Sequence, residues 1–160
     1  MAVRPTPDRL RETLFNVLAP RIAGTVFLDA YAGSGAVGIE ALSRGAARVI
    51  LIERKSVALS IIRENLAALG IESQVTVVRG DAAVSLRNHK ADIAFIDPPY
   101  DDTDEYALSL MALSAAAFPY VIAQHASRMM LDEVYGALRK TRVLKQGDNS
   151  LSFYELRDQG

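Results

Sequence analysis

Short runs rich in Val, Ile and Phe recur along this chain, and each is separated from the next by a segment with helical spacing. The runs fall at residues 26–30, 49–53, 75–79, 93–97 and 120–123, and each closes on a polar or turn residue. Runs of this length and composition read as strands buried on both faces, as in parallel sheets. Residues 37–42, 57–69 and 107–117 carry apolar side chains at helical intervals, as at Leu59, Ile62, Leu66 and Leu69. Strands alternating with helices imply a doubly wound, mostly parallel sheet with right-handed crossovers. Thr6-Pro7 suits an N-cap with proline at the first helical position, which predicts a further helix from Pro7 to about Leu18. The last two runs, 142–145 and 151–156, are joined by the polar stretch 146–150 and predict an antiparallel pair at the sheet edge. With no repeat, linker or low-complexity stretch, residues 1–160 read as one α/β domain.

Composition narrows the chemistry. Half of the 160 residues are hydrophobic and 23% are charged, so the chain has the apolar content to offset its ordering entropy. It has no cysteine, which excludes disulfides, thiolate zinc sites and cysteine nucleophiles. His89 and His125 are too few for a histidine-rich metal site, and no metal is expected. No apolar run approaches the ~18 residues of a membrane span, and Met1-Ala2-Val3-Arg4-Pro5 lacks the apolar core of a signal peptide. The expectation is a cytoplasmic protein without a membrane partner. A net charge of −1 means that nucleic acid would have to be held by a local patch. Arg4, Arg9 and Arg11 form one basic group; Arg139, Lys140, Arg142 and Lys145 form a second, which reads most simply as solvated charge.

The first run ends in Asp29-Ala30-Tyr31-Ala32-Gly33-Ser34-Gly35-Ala36-Val37-Gly38, a literal G-x-G-x-x-G opening a helix. Its usual meaning is a dinucleotide site, with pyrophosphate on the helix N-terminus and an acid ~20 residues later on a ribose. Asp29 argues against that, because a carboxylate at this strand tip repels pyrophosphate. S-adenosylmethionine carries an ammonium and a sulfonium and no phosphate, so the same carboxylate favours it. Gly33 and Gly35 then admit its methionine moiety, Glu53 takes the ribose hydroxyls, and Asp81 accepts from the adenine amine; Tyr31, Arg54 and Ala82 complete the expected cofactor site. Each acid has a plainer reading as well: Asp29 as a charge near a helix N-terminus, Glu53 as a solvated strand end, Asp81 as an N-cap.

The most specific element is Asp97-Pro98-Pro99-Tyr100, directly after Ile93-Ala94-Phe95-Ile96. Two prolines fix two φ angles and remove two donors, which leaves a stiff turn rich in acceptors. The lone pair of a base amine is delocalised into its ring, so the amine is a poor nucleophile until acceptors hold its N–H groups. The Asp97 carboxylate and the Pro98 carbonyl are suited to that, and Tyr100 offers a stacking face. In the plainer reading the four residues are only a rigid loop. His125 reads as a polar strand end, and Phe153 and Tyr154 as packing.

These residues carry a resemblance. Arg4-Pro5-Thr6-Pro7-Asp8-Arg9-Leu10-Arg11-Glu12-Thr13-Leu14-Phe15-Asn16 resembles the opening signature of the RsmD-type 16S ribosomal RNA guanine-N2 methyltransferases. The stretch from Phe27 to Gly35, then Glu40-Ala41-Leu42-Ser43-Arg44-Gly45-Ala46, is similar to that family's cofactor loop and helix, and Asp97 to Tyr100 to its catalytic turn. The resemblance implies a seven-stranded Rossmann-like methyltransferase fold and S-adenosylmethionine as donor. The acceptor it implies is a guanine amine of small-subunit ribosomal RNA, free or in an assembling subunit. Asp97, Pro98, Pro99 and Tyr100 become the expected catalytic residues, Arg4, Thr6, Arg9 and Arg11 the expected RNA contacts, and the enzyme an expected monomer. Members of the family usually carry a basic, glycine-containing strand pair ahead of the signature, which here starts at Arg4. Three alternatives remain open at this point. They are an amino-methyltransferase for DNA adenine, DNA cytosine or protein glutamine, a nicotinamide-dependent oxidoreductase, and an idle cofactor-binding module.

Overall fold

A computed structural model describes residues 6–99 and 103–157. Its strands are β1 (Val26–Asp29), β2 (Arg48–Glu53), β3 (Val75–Arg79), β4 (Ile93–Ile96), β5 (Tyr120–Ala126), β6 (Val134–Tyr135), β7 (Leu138–Gln146) and β8 (Asn149–Leu156). Its helices are α1 (Thr6–Leu18), α2 (Ala36–Ser43), α3 (Ser56–Leu69), the single turn α4 (Ala82–Ser85) and α5 (Thr103–Ala115). All strands join one sheet in the order β3-β2-β1-β4-β5-β8-β7-β6, parallel from β3 to β5 and antiparallel from β5 to β6.

The expected doubly wound sheet with an antiparallel edge is present, with eight strands among the described residues in place of seven. The additional one is β6, a two-residue strand that pairs Val134 with Arg139 and Tyr135 with Leu138, too short to leave a periodic trace in the sequence. The loop expected over 146–150 contracts to Gly147-Asp148, because Gln146 and Asn149 already pair and Gly147 takes a φ of 63°. A left-handed residue suits glycine and tightens a two-residue hairpin.

The alternation of side chains along the strands builds two cores. Phe27, Phe95 and Phe153 point to one face, where Leu14 and Phe15 of α1, Ala41 of α2 and Ile62 and Leu66 of α3 cover them. Their neighbours Leu28, Ile96 and Tyr154 point to the other, beneath Ala82 of α4 and Tyr106, Leu110 and Leu113 of α5. Burial on both faces explains why these strands read as continuous apolar runs. Gly38 sets the closeness of α2 to the sheet: a Cβ there would lie 2.5 Å from Leu51 Cδ2 and 2.8 Å from Val49 Cγ1.

Candidate active site

In the strand order, β1 and β4 are neighbours while the chain runs outward from them in both directions. This reversal opens a crevice at the carboxyl ends of the strands, where ligands bind in sheets of this kind. Four acids expected from the sequence meet the crevice: Asp29 ends β1, Glu53 ends β2, Asp81 follows β3 and Asp97 follows β4.

A cavity of about 480 Å³ lies there, lined among others by Tyr31, Gly33, Glu53, Asp81, Asp97 and His125. A smaller one of about 230 Å³ adjoins it, lined among others by Arg11, Asp29, Ser34 and Gln124; Tyr31, Gly33 and Asp97 line both. The larger volume lies in the range of small-molecule sites. Among the described residues these acids do not form a metal-ligand cluster.

Each acid has a local reason for its position. The Glu53 carboxylate accepts from Gly33 N at 2.9 Å through Oε1, and from Arg54 N at 3.0 Å and Lys55 N at 2.9 Å through Oε2. It therefore ties the glycine loop to the turn after β2. Gly33 and Gly35 adopt φ of 57° and 85°, left-handed values that side chains with a Cβ rarely take, which is why the loop needs glycine at both. Asp29 is almost wholly buried and accepts from Tyr31 N at 3.1 Å. Burial lifts its carboxyl from 3.8 to about 7; the Tyr31 N–H opposes the rise, and the charges of Asp97 and Glu53 add to it. Asp81 accepts from Ala83 N at 3.1 Å and caps α4, so its plainer reading holds while it also lines the larger cavity.

The turn after β4 sits over the same space. Asp97, Pro98 and Pro99 all line the larger cavity, Asp97 half-buried, Pro98 buried and Pro99 exposed. Tyr100 lies outside the described residues. Tyr31 reaches from the glycine loop to α5, donating its hydroxyl to Glu105 Oε1 at 2.6 Å and sharing a 2.5 Å bond with Ser109 Oγ. Burial and the Glu105 carboxylate raise the Tyr31 hydroxyl above its ordinary range, so it serves as a neutral strut. Arg54 and Ala82 line the larger cavity, and Gly35 stands at the head of α2.

The expected RNA contacts separate. Arg4 lies outside the described residues, and Thr6 is described only as the start of the α1 backbone. Arg9 is exposed, whereas Arg11 turns inward, half-buried, on the wall of the smaller cavity.

Sequence reasoning passed over a wall of the site. His125, Ala126 and Asn149 line the larger cavity beside Glu105 and Tyr106. His125 is buried inside β5, with Nδ1 2.9 Å from the Ala126 carbonyl and Nε2 2.7 Å from Ser152 Oγ. Strand β5 runs to Ala126 because β8 pairs with it from Tyr120 to Ala126. Gln124-His125 follows its apolar run as Asp97 follows β4, and that equivalence was the available signal. Phe153 and Tyr154 are fully buried packing residues, as expected.

The family described as "Conserved hypothetical protein 95" matches residues 1–155. "Putative rRNA methyltransferase YlbH" of Bacillus subtilis is 32% identical over 164 residues, covering 98% of this chain and 89% of that protein. Ribosomal RNA small subunit methyltransferase D of Escherichia coli is 46% identical over 100 residues, 61% of this chain and half (50%) of that protein's length. The solved structure of "Putative methyltransferase yhhF" from Escherichia coli superposes with a TM-score of 0.86 at 31% identity, covering 99% of this chain and 92% of that one.

Proposed function

Because the chain belongs to the "Conserved hypothetical protein 95" family, the RsmD-type methyltransferases, we propose that it methylates the exocyclic N2 amine of a guanine in small-subunit ribosomal RNA, with S-adenosylmethionine as donor. The observation that carries this reading is that Asp97, Pro98 and Pro99 line the same cavity as Glu53, Asp81 and Gly33.

The residues fit the donor. Acids outnumber bases around the cavity, with Glu53, Asp81, Asp97 and Glu105 against Arg54 and Lys55, which suits a cation and disfavours a phosphate. Gly33 N–H, a natural phosphate ligand in a dinucleotide site, is committed to Glu53, which weakens the oxidoreductase reading. Glu53 and Asp81 would hold the ribose and the adenine amine, while Ile52 and Ala82 supply apolar walls. When bound, S-adenosylmethionine supplies an electrophilic methyl group on a sulfonium.

The protein's part is placement. The Asp97 carboxylate and the Pro98 carbonyl accept the two N–H groups of the target amine, and the nitrogen lone pair then projects out of the ring plane. Because the turn is stiffened by two prolines, these acceptors need little reorganisation as charge develops on nitrogen. The proton released after transfer leaves through Asp97 or water.

Single-turnover methyl transfer from labelled S-adenosylmethionine tests the reading, with small-subunit ribosomal RNA and small-subunit particles as acceptors and hydrolysis to nucleosides afterwards. The expected product is N2-methylguanosine. Label on DNA adenine, DNA cytosine or a protein glutamine, offered in parallel and without label on RNA, would replace it with the corresponding amino-methyltransferase.

A further inference from the structure

We infer that Tyr31 and Tyr106 form a yoke that sets the catalytic turn against the donor loop, with Tyr31 and Glu105 as positioning residues for methyl transfer; the inference rests on the reaction proposed above. In the sheet β4 lies between β1 and β5, so Asp97-Pro98-Pro99 leaves it between the carboxyl ends of those two strands. Helix α5 begins at Thr103, four positions beyond Pro99, and its first turns carry Glu105, Tyr106 and Ser109. On one side, the Tyr31 hydroxyl in the loop after β1 is hydrogen-bonded to Glu105 Oε1 and to Ser109 Oγ. On the other, the buried Tyr106 donates its hydroxyl to Gln124 O of β5 and sets its ring edge-on to His125. The helix that continues the turn is thus held to both strands that flank β4.

The post on the donor side is rigid. Ala30 N–H donates to Phe95 O of β4 at 3.1 Å and Ala32 N–H to Ile52 O of β2 at 2.9 Å, so the backbone on either side of Tyr31 is pinned to the sheet. Tyr31 also stands where the two cavities meet, with Gly33 and Asp97. Its hydroxyl spends its proton on the Glu105 carboxylate and accepts from Ser109, which is wholly buried, so water does not compete for that second bond. A phenylalanine would fill the same space against the core. What the hydroxyl adds is the link from loop to helix. Methyl transfer is sensitive to such a link, because the reacting atoms must be held ~3–3.5 Å apart in line and a misplacement of ~1 Å can cost ~10²-fold in rate.

Single-turnover methyl transfer to small-subunit ribosomal particles at saturating S-adenosylmethionine, beside calorimetric titration with S-adenosylhomocysteine, tests this. Tyr31→Phe keeps the ring and removes both bonds; it should slow transfer roughly 10- to 100-fold while affinity for S-adenosylhomocysteine stays within about three-fold of wild type. Glu105→Gln, which keeps an acceptor for the hydroxyl, should transfer within about three-fold of the wild-type rate, whereas Glu105→Ala should lose rate. The double variant Tyr31→Phe/Glu105→Ala should be no slower than Tyr31→Phe, because Glu105 acts through Tyr31. Transfer at the wild-type rate in Tyr31→Phe overturns the inference. So does a loss of affinity as large as the loss of rate, which would make the hydroxyl a prop for the donor loop alone, and so do losses that multiply in the double variant. Wild-type protein that binds the donor and methylates no RNA overturns the proposed function and this inference with it.

Discussion

The parallel half of the sheet and its antiparallel edge use charge in opposite ways. From β1 to β4 the strands are mostly apolar, apart from Arg48, Thr76 and Arg79 on β2 and β3, and the acids Asp29, Glu53, Asp81 and Asp97 stand at or just beyond their carboxyl ends, around one crevice. Strand β7 carries Arg139, Lys140, Arg142 and Lys145 along its length, largely in solvent. Lys140 N–H still donates to Glu133 O at 2.8 Å, and beyond it the outer edge pairs with no strand among the described residues. Charge spread along an open edge discourages pairing with another chain; charge gathered at strand tips has no such use and marks a site. The position of a charge relative to the sheet separates the two roles.

The largest effect is expected at Asp97. Asp97→Ala should leave donor affinity within a few-fold, because the glycine loop and Glu53 are untouched, and should lower single-turnover methyl transfer by ~10²–10³. Asp97→Asn keeps an acceptor of the same shape. Partial activity there identifies orientation of the amine as the main task of Asp97, and failure equal to alanine identifies proton acceptance. Wild-type rates in Asp97→Ala would dissolve the contrast between tip and edge.

Much of this was legible in the sequence, for physical reasons. Strands buried on both faces must be apolar throughout, so β1 to β5 stood out as runs, and the acids Asp29, Glu53, Asp81 and Asp97 at or just after four of them stood out against them. What escaped depended on pairing between distant segments. Strand β5 extends three residues past Ala123 because β8 lies beside it, and that extension carries His125 into the cavity wall. Arg9 and Arg11 look alike in sequence, and only the packing of α1 on the core through Leu10, Leu14 and Phe15 turns one outward and the other in. The hydrogen bond from Gly33 to Glu53 crosses from one loop to another and has no local signature.

Next in size is Asp29, whose tip carboxylate is maintained against folding stability. Its pKa is raised from 3.8 unfolded to about 7 folded, so between those values the native state binds more protons, and stability falls as pH rises through that window. Asp29→Asn should therefore be more stable than wild type at pH 8, by about 1–3 kcal/mol, with the advantage vanishing near pH 4. Thermal melts at the two pH values measure it. Donor affinity should move the other way: a cation favours ionised Asp29, so wild-type binding should tighten as pH rises toward 7 and level off above it, with proton release on binding below 7. A Tm difference independent of pH would show that burial does not perturb this carboxyl. Glu53→Ala should weaken donor binding by ~1.5–3 kcal/mol, since it removes a ribose acceptor and frees the glycine loop as well; equal affinity by calorimetry would return Glu53 to a purely structural tie.

The smallest effects separate the two basic groups, and they test the contrast where it is most exposed to error. Arg9 stands exposed on α1, the helix that brings Arg11 to the smaller cavity, and is among the RNA contacts that the family resemblance implies. Lys145 stands exposed near the end of β7, at the edge. Arg9→Glu should lower RNA affinity by roughly 1 kcal/mol and reduce the slope of log K against log salt by ~1, because each phosphate contact releases ~0.7 of a counterion on a single strand and ~0.9 on a B-form duplex. Lys145→Glu should leave that slope alone and change stability by less than ~0.5 kcal/mol, as for an exposed charge without a structural partner. Lys140 is the instructive exception on the same strand: its Nζ donates to Leu131 O at 2.8 Å and stands 6.0 Å from the centre of the Tyr154 ring. Lys140→Ala should therefore cost about 1 kcal/mol of stability while leaving RNA affinity unchanged. Salt titrations of RNA binding with denaturant unfolding of the three variants distinguish the cases, and a salt slope that falls in Lys145→Glu as much as in Arg9→Glu would make the edge strand part of the RNA surface.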